Sequence, residues 1–314
     1  MTSPDVTAIV PTHDRIGLLT TTLRTILWQR DVSLEVVVVD DGSRDDVAAA
    51  VAALGDQRVR VLRNDTARGV SSARNRGAAD ARAPWLAFCD DDDLWAPGKL
   101  AEQLAAATRD DARWAYGGAV HVNLALRITT AKRPPAGDVL ARTLPGWSLM
   151  PGGSSNAIVR RDAFRDVGGW DEGLVNLADW DLWAKLAARA GTPAVADAPL
   201  VGYRIHAGNA SGDVALILRE ANILEARYGR VDRGRLHHYL AWVYLRTGRR
   251  KPAGRHLALA AAAGEAPAAL RSVLHAVRRK RSRSGPGGPE APSVDPWIVE
   301  AEDWIGSLRE RATA

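Results

Sequence analysis

Cysteine occurs once in this chain, at Cys89, so an internal disulfide is impossible. The residue ends an apolar run and is expected to pack as a small buried hydrophobe. No stretch of about 18 apolar residues occurs, so no membrane span is expected. The first residues, MTSPDVTAIV, lack both a basic n-region and an apolar h-region. No signal peptide is read there, and a cytoplasmic protein is expected. Also missing are GxGxxG after the first strand and GxxxxGK[ST] anywhere, so the backbone cradle that usually holds a phosphate is not encoded.

Uniform charge is absent too. The formal net charge is +5, but between Arg219 and Arg283 there are 16 Lys and Arg against 4 Asp and Glu, a net +12. The remainder carries 26 basic and 33 acidic residues, a net −7. The strongest basic run is RRKRSR, 278 to 283. Such a run suits an anionic membrane surface or a nucleic acid, and equally a solvated segment. Peripheral contact with the inner face of a membrane is the partner reading retained, and no nucleic acid is expected.

What is present is an alternation of strand and helix patterns. VTAIV (6–10), EVVVV (35–39), RVRVL (58–62) and WLAFC (85–89) read as strands. Between them, 17–28, 45–54 and 70–81 read as helices, the first placing Leu19, Leu23, Ile26 and Leu27 on one face. That βαβαβαβ order predicts an α/β fold with a mostly parallel sheet flanked by helices. A helix is expected over 97–107. Further strands are expected over 113–122, 154–160 and 201–206, with a helix over 178–190. Beyond Ser211 the chain reads as helical over 212–228, 232–247, 250–264 and 266–280. One pair within it resembles a tetratricopeptide helix–turn–helix unit, and one unit is not an array. SGPGGPEAPS (284–293) reads as a linker. WIVEAEDWIGSL (297–308) puts Trp297, Ile298, Ala301, Trp304, Ile305 and Leu308 on one face, as a docking helix would. The expected division is 1–211 for the sheet domain, 212–280 for a helical accessory domain, 281–296 for a basic and Gly/Pro linker, and 297–314 for the amphipathic helix.

Ligands of parallel sheets sit beyond the carboxyl ends of the strands. PTHDR (11–15), DDGS (40–43) and DDDD (90–93) all fall there. With no glycine cradle, a diphosphate at this edge needs another counter-charge. A divalent cation on carboxylates supplies it, since Mg²⁺ and Mn²⁺ prefer oxygen ligands. A calcium loop of the EF-hand kind fails, because Ala96 stands where its sixth-position glycine is required. The plain alternative for Asp90 to Asp93 is a solvated acidic cap on the following helix.

PTHDR, VVVVDDGS, RGVSSARNRG, AFCDDDDLW, GGWDE followed by DWDLWAKLA, and YRIH, in that order, resemble the family 2 glycosyltransferases of GT-A fold over about residues 5 to 211. The resemblance implies transfer of a sugar from a nucleotide-diphosphate sugar to an acceptor nucleophile, with inversion and with Mn²⁺ or Mg²⁺. Pro11, Thr12, His13 and Arg15 would line the nucleotide, His13 standing where an aromatic is common. Asp40 would read the base edge or ribose, with Asp41 beside it. Arg74 would lie near base and phosphates. Asp90 would face the ribose and Asp92 would ligate the metal, with Asp91 and Asp93 able to share these tasks. His206 would complete the metal or diphosphate site. The family often has Glu-Asp before Trp-Asp-Leu-Trp. Here Ala178 replaces the Glu, and Asp179 is expected to be the base. Gly153 and Ser154 would border the donor sugar or acceptor, with Trp180 and Asp181 as further candidate contacts. Core packing is the alternative for Trp180, and a capping or supporting role for Asp181. The acceptor itself is left open among saccharides, lipid-linked sugars, proteins and small metabolites, with cell-envelope or polysaccharide assembly as the setting.

Three other readings fit less of the sequence. A sugar nucleotidyltransferase usually opens with a Gly-rich, Arg-containing loop, and PTHDR is not one. A non-catalytic nucleotide-sugar-binding module would not need every candidate acid. A phospho-acceptor receiver needs its acidic pair after strand one, and here it follows strand two.

Overall fold

In the computed structural model, residues 3–206, 208, 213–266 and 295–313 are described. The expected helix over 266–280 from residue 267 onward, the basic run at 278–283 and the linker at 284–293 lie outside them. The chain divides into two compact units. One comprises Met1–Leu144, Ser148–His206 and Asp295–Ala314, and the other Pro145–Trp147 and Ala207–Val294.

The first unit is built on one nine-stranded sheet. Its parallel half has β1 (Val6–Thr12), β2 (Leu34–Asp40), β3 (Val59–Arg63) and β4 (Trp85–Phe88), in the order β3-β2-β1-β4. Every residue of β1 and β2 is buried. Their apolar centres, AIVP in β1 and VVVV in β2, suit that, because helices cover both faces of a parallel sheet. The connecting helices are α1 (Ile16–Leu27), α2 (Val47–Ala52) and α3 (Val70–Ala79). Gly77 of α3 lies on Ile9 and Val39, and a Cβ there would fall 2.5 Å from Ile9. α3 therefore packs close against the sheet.

The other half is mixed. Beyond β4 the order continues through β8 (Ile158–Arg160), β6 (Trp114–Val122), β9 (Ala194–Arg204) and β5 (Leu94–Trp95), while β7 (Ile128–Lys132) pairs with β6. Around them lie α4 (Lys99–Arg109), α5 (Gly137–Thr143), α6 (Arg161–Asp166) and α7 (Ala178–Arg189). β5, β7, α5 and α6 escape a sequence reading because each is seven residues or fewer, too short for a period to show. The strand expected over 154–160 is shorter than its pattern. Gly152 and Gly153 both have positive φ, and residues 153–155 form a 3-10 turn before β8 begins.

The C-terminal helix, α11 (Pro296–Thr313), belongs to the sheet unit rather than to a part of its own. Trp297, Ala301, Trp304, Ile305 and Leu308 are buried in the same core cluster as β6 and β9. Two glycines make room for it. Trp297 fills the place a side chain would take at Gly118, and a Cβ on Gly202 would meet Trp304 at 3.0 Å. Trp304 also donates its indole N–H to the Pro199 carbonyl at 3.1 Å.

The second unit holds α8 (Val214–Tyr228), α9 (Arg233–Arg246) and α10 (Arg250–Ala260). Asp213 and Asp232 cap the first two through their carboxylates, which accept from Leu216 N and Arg235 N. Gly248, at φ +75, makes the turn between α9 and α10. Gly264, at φ +99, breaks the helical path after α10, at the end expected for the helix over 250–264. No described helix is long and apolar enough to cross a membrane.

The packing of α11 is directly testable. Trp304→Ala is expected to cost roughly 3–5 kcal/mol, the range for a buried tryptophan in a tight core, read as a lowered thermal midpoint. A change under 1 kcal/mol would mean the helix is peripheral.

Candidate active site

The acidic run sits where β4 ends and before β5 begins, so both ends of the loop are fixed by the sheet. Cys89 N donates to the Ile9 carbonyl on one side, and β5 pairs antiparallel with β9 on the other. Asp91, Asp92 and Asp93 are buried and Asp90 is half-buried. A solvated cap is thereby excluded. The helix that follows starts only at Lys99, beyond β5.

Successive carboxylates face different partners. Asp91 turns toward β1 and α1. It accepts from Thr12 Oγ1 at 2.7 Å and from Arg15 Nη1 at 3.3 Å. Asp92 Oδ2 accepts from Arg15 Nη1 at 3.0 Å and lies 3.0 Å from His206 Nε2. Asp90 pairs with the Arg74 guanidinium, and its Oδ2 accepts from Ser154 Oγ at 2.9 Å. Asp93, wholly buried, accepts from Ser155 Oγ at 2.6 Å and from Arg204 N at 3.1 Å.

Burial is the largest cause of shifted acidity. It pushes Asp91 up to about 6 against the pull of Thr12 and Arg15. It raises Asp92 and, far more, Asp93, and the neighbouring carboxylates add to both. Asp90, Asp92 and Asp93 present ligand oxygens all within 4.8 Å of one another. Asp91 stands outside that group. Clustered oxygen donors whose ionised forms are held at a cost suit a hard divalent cation.

The second acidic pair, at the end of β2, is organised differently. Asp40 is 1% exposed. Its Oδ1 accepts from Ser43 N at 2.8 Å and its Oδ2 pairs with Arg63. Asp41 accepts from Asn64 Nδ2 at 2.6 Å, Arg68 N at 3.0 Å and Gly69 N at 2.8 Å. Those bonds close the loop that leads into α3. Asp41 is therefore turned into the loop rather than toward the acidic cluster. His13 is half-exposed above it, with Nδ1 2.9 Å from the Asp41 carbonyl. Pro11 is buried in β1, opposite Val39.

Arg74 ties two parts of the edge together. Its buried guanidinium donates to Ser154 Oγ at 2.9 Å and lies 4.4 Å from the Trp170 ring centre. Asp179 opens α7, and its Oδ1 accepts from Trp180 N at 2.8 Å. Gly153 adjoins it so closely that a Cβ would lie 3.2 Å from Asp179 Oδ2. Burial pushes Asp179 up to about 6, opposed by the Trp180 N–H and the Arg74 charge. The other α7 residues go elsewhere. Trp180 is buried with its indole N–H on the Leu144 carbonyl at 2.5 Å. Asp181 is wholly buried and paired with Lys185 at 2.9 Å.

Four contributors escape the sequence reading: Thr22, Arg63, Ser155 and Arg204. Arg204 alone carried a usable signal. It stands two residues before His206, and side chains two apart leave a strand on the same side.

Comparison with known proteins agrees with this geometry. The model of the glycosyl transferase family 2 matches residues 7–168, just over half of the chain. The succinoglycan biosynthesis protein ExoO of Rhizobium meliloti (strain 1021) is 32% identical over 230 residues, which is 69% of this chain and 64% of ExoO. The chain thus spans less than two thirds of that relative. The structure of S. aureus TarS 1–349 in complex with UDP-GlcNAc superposes with a TM-score of 0.57 at 19% identity, over 77% of this chain and 66% of that one. The mannosyltransferase PcManGT from Pyrobaculum calidifontis, in complex with GDP-Man and Mn²⁺, gives a TM-score of 0.50 at 22% identity, over 100% and 87%. With a family match across its parallel sheet and a fold shared with these enzymes, the chain belongs to glycosyl transferase family 2 and has the GT-A fold.

Proposed function

We propose that the protein transfers a sugar, with inversion, from a nucleotide-diphosphate sugar to an acceptor hydroxyl. The observation that carries this reading is the group of Asp90, Asp92 and Asp93 oxygens at the carboxyl edge of a family 2 sheet. Asp90 and Asp92 would hold the divalent cation, with His206 beside Asp92. When bound, the cation supplies positive charge to the departing diphosphate. The donor complexes named for TarS and PcManGT support a nucleotide-sugar donor, and the latter supports Mn²⁺.

The chain's own residues account for the rest. The loop of Thr12, His13 and Arg15 and the end of β2 at Asp40 receive the nucleotide. Arg74 and Ser154 orient Asp90. Asp179 takes the acceptor proton as the oxygen attacks the anomeric carbon, and its pKa, pushed up to about 6, makes it a stronger base close to the pH at which a general base works best. Asp181 supports the helix through Lys185, which also donates to the Gly169 carbonyl at 2.7 Å. Trp180 anchors the same turn. ExoO's role in succinoglycan biosynthesis supports a saccharide acceptor in polysaccharide assembly. The basic C-terminal region fits an acceptor presented at an anionic membrane surface.

The direct assay is release of nucleoside diphosphate from a panel of nucleotide sugars with Mn²⁺ and candidate acceptors. No binding and no turnover of any donor sinks the reading. Pyrophosphate release from a nucleoside triphosphate and a sugar phosphate would replace it with nucleotidyl transfer. Asp179→Asn is expected to bind donor as the parent does and to lose about 10²–10⁴ in kcat, the usual worth of a positioned base. Normal turnover by that variant would remove Asp179 from the role.

The pH dependence has a definite sign. A base titrating near 6 must be ionised to act, so log kcat/KM should climb by one per pH unit below about 6 and level off above it. A profile flat from pH 5 to 8 contradicts the assignment. Saturating Mn²⁺ should raise the thermal midpoint, by about 2.7 kcal/mol of added stability at a hundred times Kd. Asp92→Asn should abolish that rise.

A further inference from the structure

The loop from Asp90 to Asp93 contains two successive carbonyls whose partners are side chains from other elements. The Asp91 carbonyl accepts from Thr22 Oγ1 at 2.9 Å. The Asp92 carbonyl accepts from Arg204 Nε. The same guanidinium reaches α1, where Nη2 donates to the Leu18 carbonyl at 3.0 Å and to Thr22 Oγ1 at 2.8 Å. Thr22 therefore accepts from Arg204 and donates its own O–H to the Asp91 carbonyl. A charged donor at one end polarises the next hydrogen bond in such a chain.

Three arginines meet this loop, and they meet it differently. Arg15 and Arg74 donate to carboxylate oxygens, the atoms a cation would bind. Arg204 brings its charge to main-chain and hydroxyl oxygens behind the turn. It is 4% exposed and held by Leu18 and Thr22 as well as by the loop. Its backbone N–H also fixes Asp93 Oδ1. Two residues further along the chain, His206 reaches Asp92. One strand end thus grips two of the four acids and sets which way each points.

We infer that Arg204, with Thr22, is the positioning residue of the cation site. It offsets the repulsion of the carboxylates through the backbone while holding the Asp91–Asp93 end of the loop in place. The inference rests on the acidic loop being the cation site proposed above. Lysine in its place keeps the charge but loses the planar fork that reaches three acceptors. Glutamine loses the charge.

Mn²⁺ binding is measured directly, as loss of the free-ion electron paramagnetic resonance signal, on the full chain and on Arg204→Lys, Arg204→Gln and Thr22→Val. Circular dichroism melting follows the fold. Donor KM and kcat are measured in parallel. The Mn²⁺ Kd and the donor KM are expected to rise tenfold or more in folded Arg204→Lys and further in Arg204→Gln. Thr22→Val, which removes only the relaying hydroxyl, should weaken Mn²⁺ about threefold or more. The apparent pKa near 6 in the rate profile should stay put, because Asp179 is on another element. Folded variants that bind Mn²⁺ within twofold of the parent overturn the inference, whether or not they melt lower. If the Arg204 variants do not fold, an unchanged Kd in Thr22→Val overturns it alone. A parent chain that binds no Mn²⁺ overturns the cation site itself, and this inference with it.

Discussion

Everything at this edge follows from the difficulty of keeping consecutive aspartates in a buried loop. Two unit charges 4 Å apart interact by about 4 kcal/mol at an effective dielectric of 20. A domain's whole stability is about 5–15 kcal/mol. Two or three uncompensated contacts of that size would unfold the unit. The molecule answers by surrounding the loop with donors from four directions. They come from α1 and its leading loop, from α3, from the turn before β8 and from the end of β9. The sheet order makes this convergence possible, because β8 and β9 enter beyond β4 and carry serines and an arginine to the same edge.

The acidic pair at the end of β2 and the acidic run at the end of β4 are held in different ways. Asp41 is consumed by the loop it closes, with three donors on two oxygens. Asp40 is fixed by Ser43 and Arg63. At the end of β4 the acids are held more through neighbouring hydroxyls, arginines and the backbone, and burial raises three of them. The β2 pair builds the wall of the site. The β4 run retains the electrostatic tension that a ligand can relieve.

Much of this was legible in the residues. The apolar runs at 35–39 and 85–89 announced buried parallel strands, and their polar ends announced the edge. Motif order alone singled out Asp179 and Asp90, whose roles are those proposed above. The missing parts depend on contacts between elements distant in sequence. Thr22 lies in an ordinary helix and Ser155 in an ordinary turn, and nothing local distinguishes them. Their importance arises when the loop arrives from 60 to 70 residues away. The separate place of Asp181 was legible from its spacing after Asp179. A helix advances 100° per residue, so two positions along it the carboxylate is on another face, beside Lys185. Trp180 is buried on the same helix, as the core reading of an aromatic in a helix expects.

The route of the chain gives α11 a meaning beyond packing. The sheet unit is left after His206 and rejoined at Asp295, so the tryptophans that cover Gly118 and Gly202 are synthesised about a hundred residues after β9. During synthesis the sheet emerges with that groove uncovered, and the helices of the second unit must emerge before it can close. Apolar surface exposed through such an interval invites misassociation.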